Sequence, residues 1–399
     1  MKKFSIVFVA LMMVSTPLFA QKNPDLRYLP KQVPQRAEMI LPQIKGYNIY
    51  KADLHCHTFY SDGDVSAKGR VTEAYYDGLD ILAITDHVEY RPYEQKMLRA
   101  TRGYHKELPT ATNNINSHKP ADQDGILADL NIPYEEAKKP AERLGMLAIP
   151  GVEVTRHADK VGHFNALFIK DANTIYDPDP EQSLRNAKAQ GALVMHNHPG
   201  WHRKTVDMCE FHQKVYDAKL VDGVEVVNGG SFGPKLIQRC LERKLFVGAG
   251  TDAHSTTAYI YNGRGYFRTC TFVLAKELTM KAVREAFDKR RTLAYAYDNV
   301  MGSEELVREL FNNAVSINTV YTSSKGEKTV VLTNKCSIPF RVRRAAKGDG
   351  ALLNPFQSIT FKVAKGQDLN FTVLNLWTAD NEHPNSKYLS VSIKAKDLK

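Results

Sequence analysis

A chain of 399 residues is long enough for one large domain, or for a large and a small one. Its formal net charge of +10 favours anionic partners, yet no run of five or more like charges appears, which excludes a basic tail of the nucleic-acid-binding kind. Cys56, Cys209, Cys240, Cys270 and Cys336 are widely spaced and form no CxxC pair, which excludes a disulfide framework and a thiolate zinc site and leaves a single disulfide open.

At the N-terminus, Lys2 and Lys3 precede an apolar stretch from Phe4 to about Val14, and Leu18-Phe19-Ala20 closes it on a small residue. This pattern predicts a secretory signal over residues 1–20, cleaved after Ala20, and an exported protein of the periplasm or the exterior. The cysteine that would mark a lipoprotein is missing from the cleavage point. No later apolar run is long enough for a membrane span, so the mature chain is expected to be soluble. Residues 21–46 are rich in proline and glutamine and read as an extended lead-in.

From Tyr47 onward, strand-like apolar runs end at His57, His87, Glu153, Ile169, His198, Asn228 and Asp252. Helical patterns lie between most of them, near 68–76, 181–190, 204–218, 234–244 and 279–290. Alternation repeated this often predicts an α/β fold of parallel βαβ units. Clusters of His, Asp and Glu fall at the C-terminal ends of five strands, which favours an irregular seven-stranded barrel over an open sheet. The expected barrel domain spans 47–312.

Two segments interrupt the alternation. Residues 88–140 are a long polar insertion carrying Tyr90, Arg91, Tyr93, Arg102, Tyr104 and His105, and are expected to form a lid or substrate wall. Residues 313–399 change character. Short β-type runs at 329–333, 340–343, 358–363, 369–376 and 388–393 are separated by Gly-containing turns, which predicts a small antiparallel β-sandwich with an accessory role.

The chemistry starts at Asp53-Leu54-His55-Cys56-His57-Thr58. Side chains alternate along a strand, so His55 and His57 share a face. Two imidazoles on one rigid strand end suit a transition metal. Thr85-Asp86-His87, Gly151-Val152-Glu153, His196-Asn197-His198 and Thr251-Asp252-Ala253-His254 repeat the arrangement. One HxH is weak evidence; five such clusters at strand ends predict a site for two or three divalent ions.

With Ser61-Asp62-Gly63 added, these motifs in this order resemble the PHP superfamily of polymerase and histidinol phosphatase domains, over roughly residues 46–300. The resemblance implies a distorted (βα)7 barrel with a site of zinc, iron or manganese that hydrolyses phosphate esters. It runs, more loosely, to exported bacterial members that cleave phosphodiesters. Carried over, it implies that His55, His57 and Asp252 hold one ion and that Glu153 bridges two. His163 and His198 would complete the second, and Asp62, His87 and His254 the third. His196, read as sharing the face of His198, is an expected second-layer or substrate contact, and Asp53 and Asp86 are expected to orient imidazoles.

Three divalent ions bring more positive charge than Asp62, Glu153 and Asp252 return, so the site favours an anion such as a phosphate ester. Arg203, His202 and Arg268 are expected near the phosphate or the leaving group. The expected mechanism is attack by a metal-bridging hydroxide, with Asp252, His254 or His202 managing the leaving-group proton. The substrate is expected to be a small phosphodiester, with nucleic acid unfavoured and the oligomeric state open. The alternatives are a phosphomonoesterase of the histidinol-phosphatase type, or a metallo-amidohydrolase or lactonase on a related barrel.

Overall fold

The structure, a computed structural model, describes Asp25 and residues 35–91, 129–344, 348–378 and 390–394. The architecture that follows is that of the compact unit that begins at Arg36. The expected signal segment lies outside the described residues, as does most of the insertion, including Tyr93, Arg102, Tyr104 and His105.

In chain order come β1 (Asn48–Asp53), α1 (Ala67–Tyr76), β2 (Ile81–Ile84), α2 (Ile132–Arg143), β3 (Leu147–Thr155), β4 (His163–Leu167), α3 (Pro180–Ala189), β5 (Leu193–Asn197), α4 (Glu210–Asp217), β6 (Gly223–Asn228), β7 (Ser231–Phe232), α5 (Pro234–Arg243) and β8 (Phe246–Gly250). Then follow β9 (Cys270–Ala275), α6 (Met280–Asp288), β10 (Thr292–Ala296), β11 (Asn299–Met301) and α7 (Glu304–Ala314). The tail adds β12 (Val315–Thr322), β13 (Lys328–Asn334), β14 (Phe340–Arg343), β15 (Ala351–Leu353), β16 (Ser358–Val363), β17 (Asn370–Trp377) and β18 (Ser390–Lys394).

The helices carry local signals. Ser66 caps α1 by accepting from Gly69 N at 3.0 Å, and prolines open α3 and α5, where a missing N–H costs nothing. Helix α4 begins only at Glu210, later than its apolar pattern predicts, because Pro199-Gly200 and the Thr205–Asp207 turn occupy the chain before it.

One mixed sheet of fifteen strands runs β15-β14-β17-β11-β10-β9-β1-β2-β3-β4-β5-β6-β7, with β8 on β6 and β18 on β17. Strands β1, β2 and β3 pair in parallel, as do β5, β6 and β8. Strand β4 is antiparallel to both neighbours, against the expectation of a uniformly parallel set. The connection from Thr155 to His163 is too short for a parallel crossover, which needs a dozen residues or more.

The ladder does not close along its whole height. Where β8 ends, Asp252 N donates to His55 O at 2.8 Å and His57 N donates to Ala253 O at 3.0 Å, so the segments that follow β1 and β8 touch. Deeper down, β8 reaches β9 and β10 through hydroxyls: Thr271 Oγ1 accepts from Ala249 N and Thr292 Oγ1 from Val247 N.

The tail is divided between two sheets. Strands β12, β13 and β16 form a separate three-stranded sheet, whereas β14, β15, β17 and β18 extend the large one. The weld is a parallel pairing of β11 with β17, Val300 against Leu376. A single apolar cluster joins Ile49 of β1 and Phe272 of β9 to Phe311 of α7 and to Phe340, Phe371 and Val373 of the tail. Burying each such side chain stabilises the fold by roughly 1.5–3 kcal/mol. All five cysteines are free thiols, and among the described residues no helix is long and apolar enough to cross a membrane.

Candidate metal centre

Six strand ends converge on one cavity of about 430 Å³. The end of β1 delivers His55 and His57, both fully buried, while Cys56 points the other way into the core. Their Nε2 atoms lie 3.2 Å apart. Asp252, just beyond β8, places Oδ1 at 3.2 Å from His55 Nε2 and 3.0 Å from His57 Nε2. Glu153, on β3, sits at the centre. Its Oε1 is 3.3 Å from both His55 Nε2 and His163 Nδ1 and 3.6 Å from His198 Nε2, and its Oε2 is 2.6 Å from His87 Nδ1. Asp62, in the loop after β1, lies 3.4 Å from His87 Nε2 and 3.2 Å from His254 Nε2.

Two of these residues occupy backbone that L side chains rarely adopt: His198 at φ 26° and Asp252 at φ 53°. Each costs about 1–3 kcal/mol, and such strain persists where the surroundings hold it. Gly250 is needed beside them, because a Cβ there would lie 2.5 Å from His55 Cβ and 2.6 Å from Glu225 Oε1.

A second layer fixes these groups. Glu225, on β6, accepts from the His198 amide at 2.9 Å and lies 3.0 Å from His55 Nδ1. Asn197 Nδ2 donates to Glu153 Oε1 at 2.7 Å and to Asn165 Oδ1 at 2.8 Å. Asp86 binds Thr58 and Ser61, and Ser61 Oγ is 3.4 Å from His57 Nδ1, so it acts on the imidazole at one remove. Arg70, fully buried, donates to the carbonyls of His57, Ala253, His254 and Ser255.

Burial opposes every charge in the site, and the carboxylates decide where it wins. Burial lowers His55, His87, His198 and His254, but Glu153, Asp252 and Asp62 outweigh it and raise all four, His87 to about 10. For His57, burial wins with help from His254 and His87, and the pKa falls to about 4. Burial pushes Asp62, Glu153 and Asp252 upward, yet the surrounding imidazoles hold all three below the ordinary carboxylate range.

All nine ligands expected from the sequence come together. Their donor atoms form four groups within 4.8 Å: His57, Asp62, His87 and His254; His55, His57 and Glu153; His55, His198 and Asp252; and Glu153, His163 and His198. The set fits divalent transition ions. Its donors are imidazole nitrogens and carboxylate oxygens, and the buried Nδ1 of His163 faces the Glu153 carboxylate at 3.3 Å.

Other expected contacts lie elsewhere. Arg268 is buried away from the cavity, with its guanidinium committed to Asp53 at 2.6 Å and Asp77 at 3.3 Å. Asp53 therefore anchors Arg268 and Thr251 rather than an imidazole. His196 points away from the site: its Nδ1 meets the Tyr216 hydroxyl at 2.8 Å and its ring stacks on Phe164. The left-handed turn at His198 breaks the alternation that placed the two on one face. Arg203 turns to Asp207 O and His212, and His202 is exposed with its ring against Trp201. Glu225, Asn165, Asn197, Thr155 and Trp201 belong to the site or its support and were not expected there; a lone acid inside the apolar run Gly223-Val224-Glu225-Val226-Val227 was the available signal for Glu225.

A PHP-domain family profile matches residues 53–303. The chain belongs to the PHP family. A two-domain protein from Bacteroides vulgatus, described as containing a predicted PHP-like metal-dependent phosphoesterase, shares 31% identity with this PHP protein. The match covers 91% of this chain and 100% of that one, with a TM-score of 0.74. Weaker likenesses reach an amidohydrolase from Chromobacterium violaceum (16% identity, 61% and 98% coverage, TM-score 0.36) and a lesion-specific endonuclease from Pyrococcus furiosus (14%, 70% and 64%, TM-score 0.36). The search of curated proteins found no match.

Proposed function

We propose that this PHP protein is an exported phosphodiesterase that uses two or three divalent ions of manganese, zinc or iron to hydrolyse a small phosphate ester. The observation that carries this reading is the position of Glu153, whose two oxygens face the imidazoles of His55, His163, His198 and His87 at once. A carboxylate shared in this way suits ions close enough to clamp one phosphoryl group. Ions bound there supply Lewis acidity toward phosphoryl oxygens and bring the pKa of water near 7. His55, His57 and Asp252 would hold one, Glu153, His163 and His198 a second, and Asp62, His87 and His254 a third.

The protein's own groups do the rest. Glu225 and Asn197 hold His55 and Glu153 in place. The proton for the leaving-group oxygen would come from His254, Asp252 or His202, of which the first two line the cavity while His202 stands outside it beside Trp201. A diester is favoured over a monoester because the described cavity wall offers Trp201 and Tyr90 where a dianionic phosphate would call for converged guanidinium groups. The same reading takes β1–β6 and β8 as a distorted seven-stranded barrel within 47–312 and 313–399 as an accessory β-sandwich; the expected 88–140 lid is shortened at its end, because α2 (Ile132–Arg143) packs Ala137 and Ala141 into the core.

The test is an assay of bis-aryl and mono-aryl phosphates after reconstitution with each metal. Turnover of the diester supports the assignment, and turnover of the monoester alone overturns it.

A further inference from the structure

We propose that Trp201 is a stacking platform for a planar, unsaturated group on the substrate, an aryl or nucleobase-like ring carried next to the phosphate. This deepens the phosphoesterase reading and rests on it. Trp201 is 49% exposed, and its indole lies against two of the ligands, with ring centroids 5.1 Å from His163 and 5.3 Å from His198. His202 packs edge-on to it at 4.1 Å. The Trp201 amide donates to His198 O at 2.8 Å across the Pro199-Gly200 turn, so the indole hangs directly from a ligand-bearing segment.

This arrangement fixes a large apolar ring before any ligand arrives, and an ordered ring gives up little entropy when something stacks on it. Tyr90, 36% exposed, stands at the other end of the ligand row, 5.9 Å from His87. Apart from acids, imidazoles and Thr155, these two rings are the described wall of the cavity. A charged headgroup would call for lysine or arginine there, and a polyol for amides or free carboxylates. The groups present instead offer aromatic faces, which every flat unsaturated ring can use.

The chain has two tryptophans, and the second, Trp377, lies on β17 with its indole bonded to Asn299 Oδ1 at 2.9 Å. A Trp377→Phe chain therefore reports Trp201 fluorescence alone. Metal-loaded protein is titrated with phenyl-, cyclohexyl- and methylphosphonate, which differ in planarity and size but share the anionic head. We expect phenylphosphonate to quench Trp201 and to bind about tenfold tighter than methylphosphonate, with cyclohexylphosphonate clearly weaker than phenyl. In the parent chain, Trp201→Ala should remove the phenyl advantage in inhibition, leave the methyl value in place, and be largely rescued by Trp201→Phe. Equal binding of the phenyl and cyclohexyl ligands, or a phenyl-to-methyl ratio untouched by Trp201→Ala, overturns the platform while leaving phosphoesterase activity standing. A protein that binds none of the three and cleaves no phosphate ester overturns both readings.

Discussion

Glu225 holds His55 from behind: its Oε1 lies 3.0 Å from the imidazole Nδ1, while the Nε2 of the same ring faces Glu153 and Asp252. A carboxylate accepting the Nδ1 proton selects the tautomer whose Nε2 lone pair is free for a metal. Glu225→Gln keeps the shape and removes the charge. Metal affinity should fall about 10- to 100-fold with the fold intact, as read by metal titration and circular dichroism. An unchanged affinity would remove Glu225 from the site's support.

Arg70 ties two ligand-bearing strand ends together. Its guanidinium donates to His57 O at 2.8 Å, Ala253 O at 2.9 Å, His254 O at 2.7 Å and Ser255 O at 2.8 Å. A lysine ammonium cannot reach this fan of carbonyls, and each buried acceptor left bare costs about 1–3 kcal/mol. Arg70→Lys should lower unfolding stability by at least about 2 kcal/mol in urea and reduce the metal content at the cluster containing His254. Stability equal to the parent's would show that the carbonyls find other partners.

Asp62 is the carboxylate of the group that contains His57, His87 and His254, and it takes no part in the groups around Glu153. Asp62→Asn should therefore lose one ion per chain and keep the others. Elemental analysis of protein purified without oxygen counts them. Loss of every ion together would mean that the sites fill as a unit.

Proton balance gives a further check. In metal-free protein, burial lowers His87 but Glu153 and Asp62 prevail and raise it to about 10, so the folded chain holds a proton the unfolded chain releases. That contribution is complete below pH 6.5 and is lost as pH rises through 10. His57 runs the other way: held down to about 4, it favours the neutral ring, and stability drops as pH falls from 6.5 toward 4. Melting of chelator-treated protein should weaken at both ends of this range. Metal uptake at pH 7–8 must displace the His87 proton, so calorimetry in buffers of different ionisation enthalpy should register proton release. Uptake with no proton released would contradict the charge state assigned to His87.

Most of the candidate ligands were legible in the sequence because they close apolar runs, and a strand that stops on a histidine or an acid advertises its C-terminal end; His163, which opens β4, and Asp62, in the loop after β1, were reached only through the resemblance to the PHP family. The supporting layer was harder to see. Glu225 looks like an isolated acid within Val224–Val227, and nothing local shows that His55 and the His198 amide come to meet it. Arg268 misled because an arginine beside a strand reads the same whether it faces solvent or, as here, two buried acids. His196 misled because parity holds only while the backbone stays extended, and it ends at His198. The reversed direction of β4 was available in the short 155–163 connection, but strand-helix alternation elsewhere outweighed it.

Because β17 lies alongside β11 and Phe371 fills the same core as Ile49, the half of the chain that bears the histidines cannot finish its own interior. It must wait for residues made later. A premature stop before Asn370 would uncover an oily strip on an otherwise complete set of ligands, so such truncated products should be cleared by proteases or clump together rather than survive as smaller enzymes.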